Sequence, residues 1–328
     1  MRAVPNSRWT SPVARDLEAH STTATRATYN TRKVASSTLV PPSTQAPSSR
    51  LGSCGWKATC HAIAEGAVIA ARILIIIPTL GERPSYLANT VQSIREQSVP
   101  ADIVLVSPPG KAEVIALAEK AGARVIADPG NLPGAINAGA ALATSDHVYL
   151  NWLGDDDLLT SGSLERTVAA LDARPDAVLA YGACQYIADD GRHLWVSRAG
   201  PWAERILVWG PDLIPQPGML VRADAWRAVG GLDESFRFAF DLDLLLKLRR
   251  QGAFVSLPHV VSCFRWHADS LTVSDRTGSL DESEIARRRY LGPVARRLAW
   301  AWEGPVRLAT RTAAWEVRRR ALRRSEVS

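Results

Sequence analysis

At 328 residues with an apolar fraction of 46%, the chain can hold one large globular domain or two modest ones, and no apolar run reaches the roughly 18 residues of a membrane-spanning helix. Its four cysteines form neither a CxxC pair nor a disulfide framework, and its first residues lack the apolar core of a secretory signal, so a protein of the reducing cytoplasm is predicted. The net charge of +6 belongs to residues 276–328, which contain 13 Arg and 6 acidic residues, while the remainder of the chain is nearly neutral.

Residues 1–70 are rich in Ser, Thr, Pro, Ala and Arg and show almost no periodic apolar pattern. Such a segment cannot bury enough apolar surface to offset its chain entropy, so we predict a disordered N-terminal extension. A transit peptide and a misassigned start codon are both open explanations for it. The predicted globular domain covers residues 71–275.

From Arg72 onward, β-branched apolar runs alternate with amphipathic segments. Strands are predicted over 73–78, 102–107, 123–128 and 148–153, and helices over 84–97, 111–121 and 133–144. Alternation at this short spacing is typical of an α/β fold with a mostly parallel central sheet and helices on both faces. Ligands bind such sheets beyond the carboxyl ends of the strands, so the loops 79–83 and 107–110 are expected to face one crevice.

Three consecutive carboxylates, Asp155, Asp156 and Asp157, directly follow the fourth predicted strand. Unit charges about 4 Å apart repel by roughly 4 kcal/mol at an effective dielectric near 20, so this cluster indicates a cationic partner. A hard divalent ion, Mg²⁺ or Mn²⁺, suits carboxylate ligands. The alternative is that the acids only favour the N-terminus of the predicted helix 164–173, but Ser161 or Ser163 supplies a cap for that helix without them.

The next predicted elements form a hairpin, with strands 177–187 and 193–197 joined by the turn 188–191. Beyond the turn, Trp195, Trp202 and Trp209 recur at seven-residue spacing, but the Gly-Pro pairs at 200–201 and 210–211 interrupt any continuous helix and exclude a heptad seam. Two roles stay open for these tryptophans. They either stack on sugar faces beside the crevice or fill a small core.

A helix predicted to begin near Asp241 carries another candidate site residue. Asp243 is explained as an acid that the helix dipole favours in the first turn. Asp241 lies among phenylalanines at 236, 238 and 240, and partial desolvation there would raise its pKa toward that of a usable general base. An edge strand follows, and after it comes His267, which is either an ordinary surface or core histidine or the completion of a metal site begun by carboxylates.

Five segments, taken in order, resemble the family 2 glycosyltransferases of GT-A fold. They are residues 73–87, 131–139, 152–164, 230–248 and 264–272. The resemblance covers about residues 72–272 and implies a single Rossmann-like catalytic domain. It further implies that a sugar is transferred, with inversion, from a nucleotide diphosphate donor to a glycan or lipid-linked acceptor, in the synthesis of cell-surface polysaccharide or glycolipid.

The resemblance also assigns roles to individual residues. Asp155 and Asp157 match the DxD motif that holds metal and diphosphate, Asp156 is an equally placed candidate for a ribose or metal contact, and His267 matches a further metal contact of some members. Asp241 matches the catalytic base. The remaining matches are nucleotide contacts at Pro78, Thr79, Arg83 and Asn137, and acceptor-side residues at Gln216, Pro217 and Gly218.

One segment departs from the family pattern. Many members carry an Asp-Asp-Gly-Ser-like stretch after the second strand, where this chain has Ser-Pro-Pro-Gly at 107–110. A non-catalytic sugar- or nucleotide-binding relative is therefore an alternative, although the carboxylates at 155–157 and Asp241 argue against it. A sugar-nucleotide pyrophosphorylase is a second alternative, but its expected Gly-rich loop is not found at 79–86.

Residues 276–328 combine arginine clusters with Leu298, Trp300, Trp302, Leu308 and Trp315. Basic helices that contain tryptophan are typical of anionic membrane surfaces, and this would suit a lipid-linked acceptor. The alternative is a solvated helix whose apolar stripe packs on the catalytic domain. The prediction is a cytoplasmic protein with peripheral contact at the inner face of the cell membrane. No nucleic-acid recognition motif accompanies the charge.

Overall fold

The structure is a computed structural model that describes residues 72–266, 276–308 and 310–312. The extension predicted over residues 1–70 and the metal candidate His267 lie outside these ranges.

The first half of the fold confirms the predicted alternation, with boundaries shifted by a few residues at most. Its elements are β1 (Ile73–Pro78), α1 (Pro84–Arg95), β2 (Ala101–Ser107), α2 (Ala112–Ala121), β3 (Arg124–Ala127), α3 (Leu132–Ala140) and β4 (Tyr149–Trp152). Strands β1, β2, β3 and β4 are parallel neighbours. Because their carboxyl ends meet at one edge of the sheet, the loops that follow β1 and β4 come together.

The second half has shorter elements and mixed strand directions. Its elements are β5 (Leu158–Leu159), α4 (Ser163–Asp172), β6 (Ala177–Ile187), β7 (His193–Ser197), α5 (Ala203–Ile206), β8 (Leu220–Arg222), α6 (Ala223–Ala228), α7 (Phe240–Leu248), β9 (Ala253–Arg265), α8 (Arg276–Tyr290) and α9 (Pro293–Leu298), followed by further helix over 300–308. The hairpin of β6 and β7 has the predicted bounds.

The sheet has the strand order β3-β2-β1-β4-β8-β6-β9-β5, and β7 pairs with β6. Strand β8 runs antiparallel to both β4 and β6, β5 runs antiparallel to β9, and β6 runs parallel to β9. The sheet is therefore mixed, whereas the sequence predicts a mostly parallel one. Strands of two or three residues such as β5 and β8 are too short to produce a recognisable apolar period.

Apolar side chains fill both faces of the sheet. Along β1, Ile73, Ile75 and Ile77 pack with α1, α2 and α4, while Leu74 and Ile76 pack with α3, α6 and α7. Gly139 lets α3 lie directly on β1, since a Cβ there would overlap the side chain of Ile76. Helices on both faces are thus confirmed.

Helix α8 packs on the α/β domain. The Tyr290 hydroxyl donates to Asp243 Oδ1 at 3.0 Å, and Arg289 pairs with Asp233 at 2.6 Å. Beyond α8, large apolar side chains stay exposed, with Val294 at 72% and Trp300 at 73%. Among the described residues, no helix is both long enough and apolar enough to cross a bilayer.

Candidate active site

The loop after β1 meets the three carboxylates after β4. The Thr79 hydroxyl donates to Asp155 Oδ2 at 2.6 Å, and Arg83 Nη1 donates to Asp156 Oδ2 at 3.1 Å. The backbone N–H of Thr79 donates to the Val106 carbonyl at 2.9 Å, which ties this loop to the end of β2. The structure thus brings the predicted first loop and the acid cluster to one edge of the sheet.

Asp157 is the buried member of the cluster, with 3% of its surface exposed. Its Oδ1 accepts the backbone N–H of Arg265 at 3.1 Å, while the guanidinium of that residue donates to the carbonyls of Asp156 and Asp189. Burial, followed by the neighbouring charge of Asp156, raises the pKa of Asp157 well above its ordinary value. Burial and the neighbouring carboxylates thus disfavour a negative charge on Asp157.

The residues present fit a hard divalent cation, although they do not by themselves form a closed cage. In the part of the chain that the structure describes, no three His, Cys, Asp or Glu side chains are grouped as metal ligands. Gly154 keeps the cluster open, because a Cβ there would lie 2.9 Å from carboxylate oxygens of both Asp156 and Asp157. Closely spaced carboxylate oxygens are the donor set that Mg²⁺ or Mn²⁺ prefers.

Asn137 lies beside a different loop. Its amide accepts the N–H of Leu232 at 2.9 Å and donates to the Leu232 carbonyl at 3.0 Å and to Glu234 Oε1 at 3.1 Å. These three bonds fasten α3 to the segment that leads into α7, so Asn137 has a structural task independent of any nucleotide.

The three acceptor-side candidates lie between β4 and β9. Gln216 Nε2 donates to the Trp152 carbonyl at 2.7 Å, which places it beside the strand that carries the acid cluster. Pro217 and Gly218 are buried, and the Pro217 carbonyl accepts the Ser262 hydroxyl at 2.6 Å. Of the three, Gln216 has the partly exposed side chain.

Asp241 occupies the first turn of α7 and is half-buried. Its Oδ1 accepts the N–H of Leu242 at 2.7 Å, but burial outweighs this bond and raises the pKa of Asp241 to about 6. At neutral pH the side chain is therefore ionised while still retaining appreciable basicity, as a general base requires.

A second carboxyl, Asp212, is electrostatically coupled to Asp241. Burial and the charge of Asp241 raise the pKa of Asp212 to about 8, while the Ile214 N–H and the charge of Arg287 act in the opposite direction. Sequence reasoning missed Asp212 because it stands in a Gly-Pro-bounded loop without periodicity. The long-range meeting of this loop with α7 leaves no local signal in the sequence.

The three tryptophans differ in their surroundings. Trp195 stacks on Tyr186 with 4.3 Å between ring centroids, and Trp266 meets its edge at 5.7 Å, so Trp195 belongs to an aromatic cluster. Trp202 and Trp209 remain 51% and 48% exposed. Trp209 also packs edge-to-face against Trp302, with 5.1 Å between ring centroids.

Replacing Asp212 with Asn is expected to stabilise the protein at pH 8. The folded state holds the Asp212 proton up to a pH of about 8, whereas the unfolded chain loses it near pH 4, so the wild type loses stability as pH rises between these values. The Asn variant avoids this loss, so its melting temperature should be several degrees above that of the wild type at pH 8 and nearly equal to it near pH 4. For a domain of this size, each kcal/mol of stability changes the melting temperature by about 2–4 °C. Melting curves across this range measure the effect. Asp224→Asn, at an exposed carboxyl, is the matched control, and an unchanged gap from pH 4 to 8 would contradict the assignment.

Comparison with known proteins gives a consistent result. Residues 74–219 match the family model described as glycosyl transferase family 2. The chain is similar to the mannosyltransferase PcManGT from Pyrobaculum calidifontis in complex with GDP-Man and Mn²⁺, at 18% identity and a TM-score of 0.52, covering 75% of each chain. It is also similar to S. aureus TarS 1–349 in complex with UDP, at 14% identity and a TM-score of 0.52, covering 70% of this chain and 69% of that one.

Against the longer S. aureus TarS structure, the match has 14% identity and a TM-score of 0.49 and covers 69% of this chain but 43% of that chain. No curated protein matches the chain. The likeness to the mannosyltransferase confirms the predicted class of fold, a mixed α/β domain similar to GT-A glycosyltransferases.

Proposed function

We propose that the chain transfers a sugar, with inversion, from a nucleotide diphosphate donor to an acceptor hydroxyl, because its residues 74–219 match the glycosyl transferase family 2 model. The observation that carries the proposal is the meeting of the first loop with the acid cluster, in which Thr79 and Arg83 bind the carboxylates of Asp155 and Asp156. Two similar structures hold nucleotide ligands, GDP-Man with Mn²⁺ in one and UDP in the other. Cell-surface polysaccharide or glycolipid synthesis is the proposed setting.

The acid cluster is the proposed site for Mg²⁺ or Mn²⁺. Asp155 and Asp157 would hold the ion, and His267 is the further candidate ligand. When bound, such an ion supplies Lewis-acid stabilisation of the charge that builds on the leaving diphosphate. Arg83, with a side chain 31% exposed, adds positive charge at the same edge of the sheet.

The nucleotide is proposed to lie along the carboxyl ends of β1 and β4. Pro78 and Thr79 form the rigid start of this edge, since Pro78 ends β1 and Thr79 is held by three hydrogen bonds. Asp156 is the proposed ribose contact. Asn137 is proposed as a more remote contributor, through the loop that it fastens.

Asp241 is the proposed base. Its task is to accept the proton of the acceptor hydroxyl as that oxygen attacks the sugar carbon from the face opposite the diphosphate. The raised pKa of Asp241 makes it a stronger proton acceptor than an exposed carboxylate. Gln216, with Pro217 and Gly218 behind it, is proposed to line the acceptor side.

Donor turnover tests the proposed function. The full chain is incubated with a panel of UDP-, GDP- and dTDP-sugars, with Mn²⁺, Mg²⁺ or a chelator, and nucleotide diphosphate release is measured. Release from one class of donor that stops with the chelator supports a transferase. Tight nucleotide binding without release would favour a non-catalytic relative, and formation of nucleotide sugar from a nucleoside triphosphate and a sugar phosphate would favour a pyrophosphorylase.

The exposed face beyond α8 is proposed to contact an anionic membrane surface, where a lipid-linked acceptor would be found. Val294, Leu298 and Trp300 are 72%, 50% and 73% exposed, and Arg296 and Arg297 are exposed among them. Apolar side chains interleaved with arginine insert at the headgroup boundary while the guanidinium groups pair with lipid phosphates.

The double variant Leu298→Ala/Trp300→Ala is expected to lose membrane binding by about tenfold or more, because it removes the two largest apolar side chains of this face. Sedimentation with vesicles that contain phosphatidylglycerol measures the loss, and neutral phosphatidylcholine vesicles should bind weakly throughout. Ile115→Ala, at a 43% exposed apolar residue on α2, is the matched control. Equal sedimentation of the wild type and the double variant would rule out this surface.

A further inference from the structure

We propose that Glu282, on helix α8, is a positioning residue for Asp241, an inference that rests on the proposed function. Glu282 lies 41 residues beyond Asp241 in the chain and outside the residues that match the family model. It does not contact the reacting atoms. Its task is to hold the backbone segment that presents the base.

The geometry of this contact is specific. The Glu282 carboxylate accepts backbone N–H groups from three successive residues: Arg237 at 3.0 Å, Phe238 at 2.6 Å and Ala239 at 3.0 Å, all to Oε2. Oε1 also accepts the Arg237 N–H, at 3.1 Å. Successive N–H groups that converge on one point form an anion-binding concavity, and here a carboxylate from a distant helix fills it.

The segment 237–239 needs such an external partner because its own sequence provides none. Helix α7 begins at Phe240, its N-cap residue is Ala239, and no side chain caps it locally. An alanine cannot accept the first N–H groups of a helix, and Ser, Thr, Asp or Asn usually do so at this position. Glu282 instead accepts the N–H of the N-cap residue Ala239 and those of the two residues before it, and its negative charge also favours the N-terminal end of α7.

The position of the base follows from this arrangement. Asp241 is the second residue of α7, and only Phe240 separates it from the segment 237–239 whose N–H groups Glu282 binds, so the path of that segment into the helix sets the direction of the Asp241 side chain. Helix α8 is fixed in register by two further contacts with this region, Tyr290 to Asp243 and Arg289 to Asp233. Its buried Arg287 also counteracts the raised pKa of Asp212, the carboxyl coupled to Asp241. Helix α8 therefore completes the half of the site that contains the proposed base.

Three variants of the full chain test the role of Glu282. Glu282→Ala removes the acceptor, Glu282→Gln keeps one acceptor oxygen without the charge, and Asp281→Ala is the matched control. Asp281 is the preceding residue of α8, is exposed, and pairs with Arg307 rather than with the segment before α7. Hydrogen exchange of the peptide 236–244 is measured for each, together with kcat, donor KM and the pH dependence of transfer.

The expected result is a gradation. Glu282→Ala should increase exchange at 237–239 by roughly tenfold, since hydrogen bonds to a charged group are lost, and lower kcat with little change in donor KM. Glu282→Gln should show exchange at 237–239 and a kcat that lie between those of Glu282→Ala and the wild type. Asp281→Ala should match the wild type in both. Unchanged exchange in Glu282→Ala, or a kcat equal to that of the wild type, would overturn the proposal.

The exchange measurement separates this inference from the proposed function, because it needs no substrate. A wild type without transferase activity, combined with increased exchange only in the Glu282 variants, would reject the base role of Asp241 and leave the contact as a helix cap. That result would also reject Glu282 as a positioning residue. If Glu282→Ala does not fold, Glu282→Gln provides the test. A kcat and a hydrogen-exchange rate that both equal those of the wild type would overturn the proposal.

Discussion

Asp241→Asn is expected to reduce sugar transfer by about 10²–10⁴-fold and to leave donor binding unchanged. Asparagine has nearly the same shape and keeps an oxygen that can accept the Leu242 N–H, but it cannot take a proton from the acceptor hydroxyl. The raised pKa of Asp241 shows that its charge is unfavourably buried, so the neutral variant should be at least as stable as the wild type. Loss of activity could then not be attributed to unfolding.

The rate of transfer is measured as initial rates with a saturating donor. Calorimetry with the nucleotide diphosphate measures donor-site binding, and a melting curve measures stability. Asp243→Asn is a poor control, because Asp243 is fully buried and pairs with Lys247 at 2.9 Å. Asp224→Asn, at an exposed carboxyl in α6, is the better one. A rate within threefold of the wild type in Asp241→Asn would exclude Asp241 as the base.

The raised pKa of Asp241 gives the same experiment a pH signature. Transfer should rise with pH through about 6, as the base loses its proton. Asp212 still holds its proton at this pH, so Asp212→Asn should leave the rise near pH 6 in place.

The sheet illustrates how much of the fold is visible in the sequence. Strand β1 is a continuous run of buried β-branched and aliphatic residues, and β6 and β7 are separated by an evident turn, so each was predicted within a residue of its observed bounds. Strand β8 was not predicted. It has three residues, and its antiparallel pairing with both β4 and β6 is set by tertiary packing rather than by its own pattern.

The candidate site divides in the same way. The acids at 155–157 follow a clear strand, so their place at the sheet edge beside Thr79 and Arg83 could be predicted. The partnerships of Asp212 with Asp241 and of Glu282 with the start of α7 could not, because each joins segments far apart in the chain through a single side chain. Asn137 was assigned from the resemblance to a family segment alone. That resemblance does not reveal that its amide is hydrogen-bonded to the loop at 232–234.

Asp157→Ala is the second variant for which we expect a large effect, namely the loss of metal-dependent nucleotide binding. Changes in residues that merely support a metal ligand lower affinity or activity about 10–100-fold, so removal of a direct ligand should reach or exceed roughly 100-fold. Calorimetry of the full chain with UDP, GDP and dTDP, with and without Mn²⁺, measures it. In the wild type, one nucleotide should bind much more tightly with Mn²⁺ than without it.

The control exploits the two ends of strand β4. Asp146 is an exposed carboxyl before the amino end of this strand, while Asp157 follows its carboxyl end. Asp146→Asn therefore removes one negative charge at the end of the strand opposite the proposed metal site. Asp157→Asn is included because its amide oxygen can still accept the Arg265 N–H, which keeps the loop in place. If Asp157→Asn and Asp157→Ala both lose the Mn²⁺ effect while Asp146→Asn retains it, Asp157 acts through the metal. If all four proteins bind the nucleotide equally with and without Mn²⁺, the acid cluster is not a metal site, and the leaving diphosphate must then be stabilised by cations of the protein such as Arg83.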